Sequence, residues 1–225
     1  MSRAMETSLH RQLKDAYAEQ GGQLEMRLGS YRIDVARADD LVEIQHGPLA
    51  AIRDKVRDLV ERHRVLVVKP IVRRKQLVKR ETRGGRIVGR RLSPKRGRIM
   101  DVFDELVHFT RVFPHPNLTV EVAMVDVEEW RYPGHGRRRR RRPTDFVVED
   151  QRLVRVDRCA RLHDADDLIG LLPGDLPSPF DTADLAATLG VARGVAQRVA
   201  YCLRETGAVA TAGKQGNAWL YRRCA

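Results

Sequence analysis

Residues 31–46 read YRIDVARADDLVEIQH and place Asp34, Glu43 and Gln45 on two short apolar segments joined by an Asp-Asp turn. Two carboxylates on paired strands can hold a divalent cation. Mg2+ takes oxygen ligands, keeps several waters and sits between one or two carboxylates and a substrate phosphate. Such an ion activates a bound water and stabilises the charge that develops on a phosphoryl group, which is what phosphodiester hydrolysis needs. Glu43 and Gln45 share a face because they lie two residues apart on one strand. Asp34 shares it if the hairpin pairs as its apolar pattern demands, since a slip of one residue would bury the charges. The competing reading is a solvated sheet face with Glu–Arg cross-strand pairs, Glu25 and Arg27 included.

The second group able to do chemistry is basic. The chain carries 42 Lys and Arg against 30 Asp and Glu, a net charge of +12, which favours a polyanionic partner. From Arg64 to Arg98 fourteen basic residues face one acid, Glu81, so the charge is concentrated. Arg73, Arg74, Lys75, Lys79, Arg90, Arg91, Lys95 and Arg96 read as a phosphate-tracking arm whose binding should depend steeply on salt. In GHGRRRRRRP, Arg137, Arg138, Arg139, Arg140, Arg141 and Arg142 read as a loop that grips nucleic acid, with nuclear targeting as the alternative. Trp130 and Tyr132 beside that run could stack on unpaired bases, though packing is the expected role. His108 and His115 match no metal-ligand spacing and read as structural.

Those residues need elements to hold them. TSLHRQLKDAYAEQGG has Leu9, Leu13, Ala16 and Tyr17 at helical spacing, with Thr7 or Ser8 as cap and a Gly pair as stop. QLEMRLGSYRIDVARADDLVEIQ alternates with period two through two turns, predicting three antiparallel strands. GPLAAIRDKVRDLVERHR predicts a helix after Pro48, and VLVVKPIV a short buried strand that this helix carries across the sheet. KQLVKRETRGGRIVGRRL reads as a basic hairpin, RIMDVFDELVHFTRVF as a third helix, and LTVEVAMVDVEEWRY and FVVEDQRLVRV as further strands.

The order helix, three strands, helix, strand, with these acids, resembles the PD-(D/E)xK superfamily of restriction-endonuclease-like nucleases over about residues 5–72. The signature Asp of the second strand matches Asp34 in RIDV, and the third-strand acid matches Glu43 in VEIQ. Gln45 stands where the family usually has Lys; some active restriction enzymes carry Gln there, but an amide orients a water without supplying charge. Members similar to archaeal Holliday junction resolvases add a Glu on the first helix, here Glu6. The resemblance implies an α/β (α+β) fold with a restriction-endonuclease-like αβββαβ core, Mg2+ or Mn2+ held by Asp34 and Glu43, and a site completed by Gln45 and by Glu6 or Glu25. His46, Lys69 and Arg32 are candidates for the missing charge. The whole chain also resembles an uncharacterised bacterial family of two-part layout.

Character changes near Asp157, dividing the chain into 1–156 and 157–225. DADDLIGLLP and PSPFDTADLAATLG predict two helices, the second capped by Asp181 or Thr182 and closed by Gly190. ARGVAQRVAYCLRETG predicts a third, and AVATAGKQGNAWLYRR a hairpin around residues 214–217. This order resembles winged-helix DNA-binding domains, which implies a recognition helix in the major groove. Arg193, Gln197 and Arg198 would then contact bases and phosphates, and Lys214 the backbone; the alternative is a module that holds a protein or closes a dimer.

Cys159, Cys202 and Cys224 are odd in number and widely spaced, so neither a disulfide framework nor a zinc site is suggested. No apolar run reaches a membrane-spanning length and no signal-peptide core is present, so a cytoplasmic, nucleoid-associated protein is expected. The expected function is a metal-dependent DNA endonuclease acting on double-stranded or branched DNA, with a homodimer as one arrangement. Its rivals are a non-enzymatic DNA-binding regulator or scaffold on a degenerate nuclease fold, and an RNA-associated factor.

Overall fold

Helix α1 (Ser8–Ala18) starts at Thr7, whose hydroxyl accepts from the His10 amide at 3.4 Å, and it buries Leu9 and Leu13 on one side. The computed structural model describes residues 6–19, 21–134, 145–174 and 176–224. After the helix come β1 (Gln23–Leu28), β2 (Tyr31–Ala36) and β3 (Leu41–Ile44), antiparallel in sequence order. A 3-10 turn at Leu49–Ile52 leads into α2 (Arg53–Val60), which returns the chain so that β4 (Val65–Arg80) pairs parallel with β3, Leu41 opposite Val65 and Ile44 opposite Val68. A helical crossover of this kind is what parallel pairing of consecutive strands requires.

β4 is longer than the short strand that VLVVKPIV predicts. It runs 16 residues, buried through Ile71 and basic beyond, because β6 (Leu118–Pro133) matches its length and pairs with it in parallel along both halves. The basic hairpin is formed by the far end of β4 and β5 (Ile87–Leu92). The third helix is shorter than its sequence suggests. A 3-10 turn at Ile99–Asp101 and α3 (Val102–Leu106) give way to turns in which Phe109, Val112 and Phe113 are all buried, and Pro114 and Pro116 bar continuation. β7 (Phe146–Leu162) is antiparallel to β6 and passes straight through Asp157, so the change of character noted there falls inside a strand.

The result is a mixed α/β fold on a seven-stranded sheet ordered β1-β2-β3-β4-β6-β7, with β5 on the free far half of β4. One face packs against α1 through Leu9, Leu13, Val42, Ile44, Leu66, Val68 and Val125. The other packs against α2 and α3 through Leu41, Val56, Leu59, Val67, Phe103, Leu106 and Val120. Beyond β7 follow α4 (Ala165–Gly170), α5 (Thr182–Leu189), α6 (Arg193–Glu205) and the hairpin β8 (Val209–Gln215) and β9 (Ala218–Arg223). Asp181 caps α5 and Gly190 closes it in the left-handed region at φ 60°, as a helix stop requires. Among the described residues no helix is long and apolar enough to cross a membrane.

Candidate functional site

β2 holds Asp34 beside β3, but the side chain interrupts the ladder. The register Val35 opposite Val42 would set Asp34 against Glu43, and instead Asp34 Oδ2 accepts the Ile44 amide at 2.9 Å. The strand turns over at this point. Ile33 packs towards α2 and α3, whereas Val35 packs towards α1. Asp34 Oδ1 lies 3.4 Å from His10 Nε2 of α1, which is also 3.6 Å from Glu6 Oε1. Glu6 lies just ahead of the helix cap and not on the helix itself. Lys14, one turn beyond His10 and buried, reaches Glu6 Oε1 at 2.5 Å and Glu25 Oε1 at 2.6 Å. Arg32 closes on the other oxygen of Glu25, the cross-strand pair that the solvated-face reading expects.

Glu43 points to the opposite side. Only 4% exposed, its Oε1 forms an ion pair with Lys55 Nζ of α2 at 2.5 Å, and Lys55 also donates to the Arg32 carbonyl. Burial lifts the Glu43 carboxyl to about 6, and Asp34 nearby adds to the rise while Lys55 opposes it. Burial is also the largest influence on Asp34, but the hydrogen bonds from His10 and the Ile44 amide, with the charges of His10 and Lys14, outweigh it and hold this carboxyl low. Glu6 is held low chiefly by Lys14.

Gln45 does not turn towards the acids. Its Nε2 donates to Pro48 O at 2.7 Å, because the loop after β3 folds back on it. That loop is pinned from below by Lys69, the residue beside Gln45 on β4. Lys69 Nζ donates to Gly47 O at 2.7 Å and pairs with Glu105 Oε1 at 3.1 Å, and Glu105 Oε2 accepts the Leu49 amide. Lys69 is buried, which lowers its pKa, and Glu105 partly offsets the effect. Burial likewise lowers His46. Lys69 is thus fixed in the loop's support.

The structure therefore gathers Glu6, Glu25 and Asp34 around His10 and Lys14 of α1, and sets Glu43 on the other side against Lys55 of α2. Among the described residues no three His, Cys, Asp or Glu side chains converge as metal ligands. As arranged, the set does not fit a preformed Mg2+ or Mn2+ site: Lys14 stands between Glu6 and Glu25, and Lys55 lies against Glu43 Oε1, the buried oxygen of the set that makes no hydrogen bond. Sequence reasoning singled out Arg32 but missed His10, Lys14 and Lys55. The spacing of Glu6, His10 and Lys14, four residues apart each, was the available signal.

The basic arm divides. Arg73 is bidentate to Asp126 at 2.9 and 2.6 Å and also meets Asp157, Lys75 holds Glu129 at 2.6 Å, and Arg90 holds Glu128 at 2.9 Å. These three are structural ion pairs of the sheet. Arg74, Lys79, Arg91, Lys95 and Arg96 are exposed, with no side-chain hydrogen bond or ion pair among the described residues. Trp130 is not open to a base. It is 7% exposed, with Arg80 and Arg152 each 4.5 Å from the ring centre and Arg90 at 5.8 Å. Residues 137–142 lie outside the described residues.

In the C-terminal part, α6 shows two faces. Ala196, Val199, Cys202 and Leu203 are buried, and the Cys202 thiol, which burial pushes up to about 12, donates to Phe103 O of α3 at 3.4 Å. Arg198 belongs to this contact, its Nε donating to Asp104 Oδ1 at 2.5 Å, and so is not on the open face. The open face carries Arg193, Gln197, Tyr201 and Arg204. With Thr182, Asn217 and Trp219 they line a groove of about 270 Å3 between helix and hairpin. Tyr201 is 38% and Trp219 48% exposed, with Lys214 Nζ 4.3 Å over the Trp219 ring. The sequence suggested Arg193, Gln197 and Lys214 here; Tyr201, Arg204 and Trp219 were not singled out, although 193, 197, 201 and 204 follow helical spacing.

Fold and site together define a mixed α/β protein with an ion-paired acidic centre and cationic ends. Residues 7–163 match a family model described as Domain of unknown function (DUF8091), and the chain belongs to that family. It is also 29% identical over 221 residues to an uncharacterized protein of Treponema pallidum (strain Nichols), a match covering 97% of this chain and 85% of the relative. That likeness extends past the family match into the C-terminal helices. No solved structure matches the chain.

Proposed function

We propose that the chain is a DNA-binding protein in which a restriction-endonuclease-like core serves as scaffold and a C-terminal winged helix, with the cationic end of the sheet, holds the nucleic acid. The observation that carries this reading is the α6–hairpin groove. Arg193 and Gln197 offer donors suited to base edges, while Tyr201, Trp219 and Lys214 offer rings and charge to a backbone. The acidic centre supports a scaffold role because Lys14, Lys55 and Arg32 pair with Glu6, Glu43 and Glu25 while His10 lies against Asp34, tying α1, α2 and the first three strands together.

The test is fluorescence anisotropy of the full chain on a duplex across a salt series. Arg193→Ala with Gln197→Ala should weaken binding by about tenfold or more, the loss expected when base contacts are removed. Unchanged affinity would reject the groove as the interface.

A second reading, a metal-dependent DNA endonuclease, is favoured by one observation: Glu43 keeps a buried oxygen without a hydrogen bond close to Asp34. It requires Lys55 to yield to an ion. Cleavage of plasmid, four-way junction, flap, single strand and RNA with Mg2+ or Mn2+ decides it; cutting by the wild type that Asp34→Ala abolishes, with binding kept, would restore the catalytic assignment.

A further inference from the structure

At the far end of the sheet, beyond the acidic centre, β4, β5, β6 and β7 enclose a cavity of about 390 Å3. Its charged lining is Lys79, Arg80, Arg91 and Arg131 against a single acid, Asp145; its apolar lining is Val88, Tyr132, Pro133 and Phe146. Two features separate this cavity from an ordinary basic surface. Lys79 and Arg91 have no hydrogen bond or ion pair among the described residues. Arg80 and Arg131, by contrast, are fixed as part of the wall: Arg80 Nε lies 3.5 Å from Glu149 Oε2 and its Nη1 donates to Gly85 O at 3.1 Å, and Arg131 Nη2 lies 3.1 Å from Glu129 Oε1.

The apolar side says what kind of anion. The Arg131 guanidinium lies 4.1 Å over the Phe146 ring, and Phe146 itself is 42% exposed, so a guanidinium–ring stack leaves aromatic surface open at the mouth. Phosphate alone would need the cations and not the rings. A planar base carrying a phosphate uses both, stacking on Phe146 while its phosphate meets Lys79 and Arg91, and the cavity volume falls within the range of small-molecule sites. The register supports a single site: Lys79 pairs with Arg131, Leu77 with Arg91, and Pro133 with Phe146, so residues of all four strands meet at one end.

We propose that this cavity binds one nucleotide, base and phosphate together, as an unpaired residue or strand end of the nucleic acid held elsewhere on the molecule. The inference rests on the nucleic-acid-binding reading for its context, but the pocket is testable by itself. Titration calorimetry of the full chain with AMP, adenosine and inorganic phosphate is the experiment. AMP should bind, with adenosine and phosphate each weaker by about tenfold or more, as loss of charge or of stacking predicts. Lys79→Ser with Arg91→Ser should lose AMP binding to a similar extent, and these exposed, unpaired side chains should leave the melting temperature unchanged. Phe146→Ala should lose AMP affinity while keeping that for phosphate. Equal affinity for phosphate and AMP would reduce the site to an anion pocket and overturn the proposal, as would AMP binding indifferent to all three substitutions. Duplex binding measured on the same samples separates the two readings: duplex binding without AMP binding sinks the pocket alone, and AMP binding without duplex binding sinks the interface on α6 alone.

Discussion

Glu43 is the side chain at which burial and pairing oppose each other most openly. Its carboxyl rises from an ordinary 4.5 to about 6, so between those values the native state binds more protons than the unfolded chain. Its contribution to stability therefore falls as pH rises through that window, reaching a full cost of about 2 kcal/mol above it. Asp34 acts in the other direction: held below 3.8, it contributes stability that is present above that value and lost as pH falls through its folded pKa. Urea unfolding of wild type and Glu43→Gln from pH 4 to 7.5 isolates the first effect. The variant should lack the decline between about pH 4.5 and 6, and parallel profiles would mean that Glu43 is already solvated. Lys55→Met should cost about 3–5 kcal/mol at neutral pH by stranding a buried charge, and Lys55→Met with Glu43→Gln should recover most of it. Asp34 and Glu43 were legible from their strand alternation. Lys14 and Lys55 were not, because their alkyl stems sit at helix positions that read as solvent-facing until α1 and α2 are laid on the sheet.

α6 is the element whose two faces carry different work. Arg198 sits among residues suited to base contact, yet it pairs with Asp104 across to α3. Arg198→Ala should leave duplex affinity unchanged and alter stability by about 1 kcal/mol or less, the range of an exposed ion pair. Comparable loss of binding in Arg198→Ala and in Arg193→Ala with Gln197→Ala would show that α6 presents its other face. Elements defined by strong local signals were readable: α1 by its cap and Gly stop, β1 to β3 by alternation, α5 by Asp181 and Gly190. Elements defined by long-range pairing were not. The basic half of β4 looks like an independent hairpin because only β6, some fifty residues on, extends the strand. α3 looks longer because its buried phenylalanines keep near-helical spacing through a stretch that turns.

At the scale of the molecule, the α2/α3 side of the sheet and the C-terminal helices share one apolar core. Phe103, Leu106 and Leu162 belong to the same cluster as Leu168, Phe180, Leu185, Val199, Leu203 and Tyr221. A division at residue 156 follows composition, because charge and turn residues change there; burial does not follow it, since β7 carries the chain to Leu162 and α6 then packs back on α3. Two halves joined through a common core should unfold together. In a Trp130→Phe background, Trp219 reports the C-terminal hairpin by fluorescence while circular dichroism follows the whole chain. The two signals should share one midpoint, and Phe103→Ala should move both by the same amount, a loss of about 3–5 kcal/mol for a fully buried ring. Separate midpoints, or a Phe103→Ala effect confined to the dichroism signal, would mean that the C-terminal part folds by itself. In that case the α6 groove would be carried on an independent module, and its orientation to the sheet would no longer be fixed by the core.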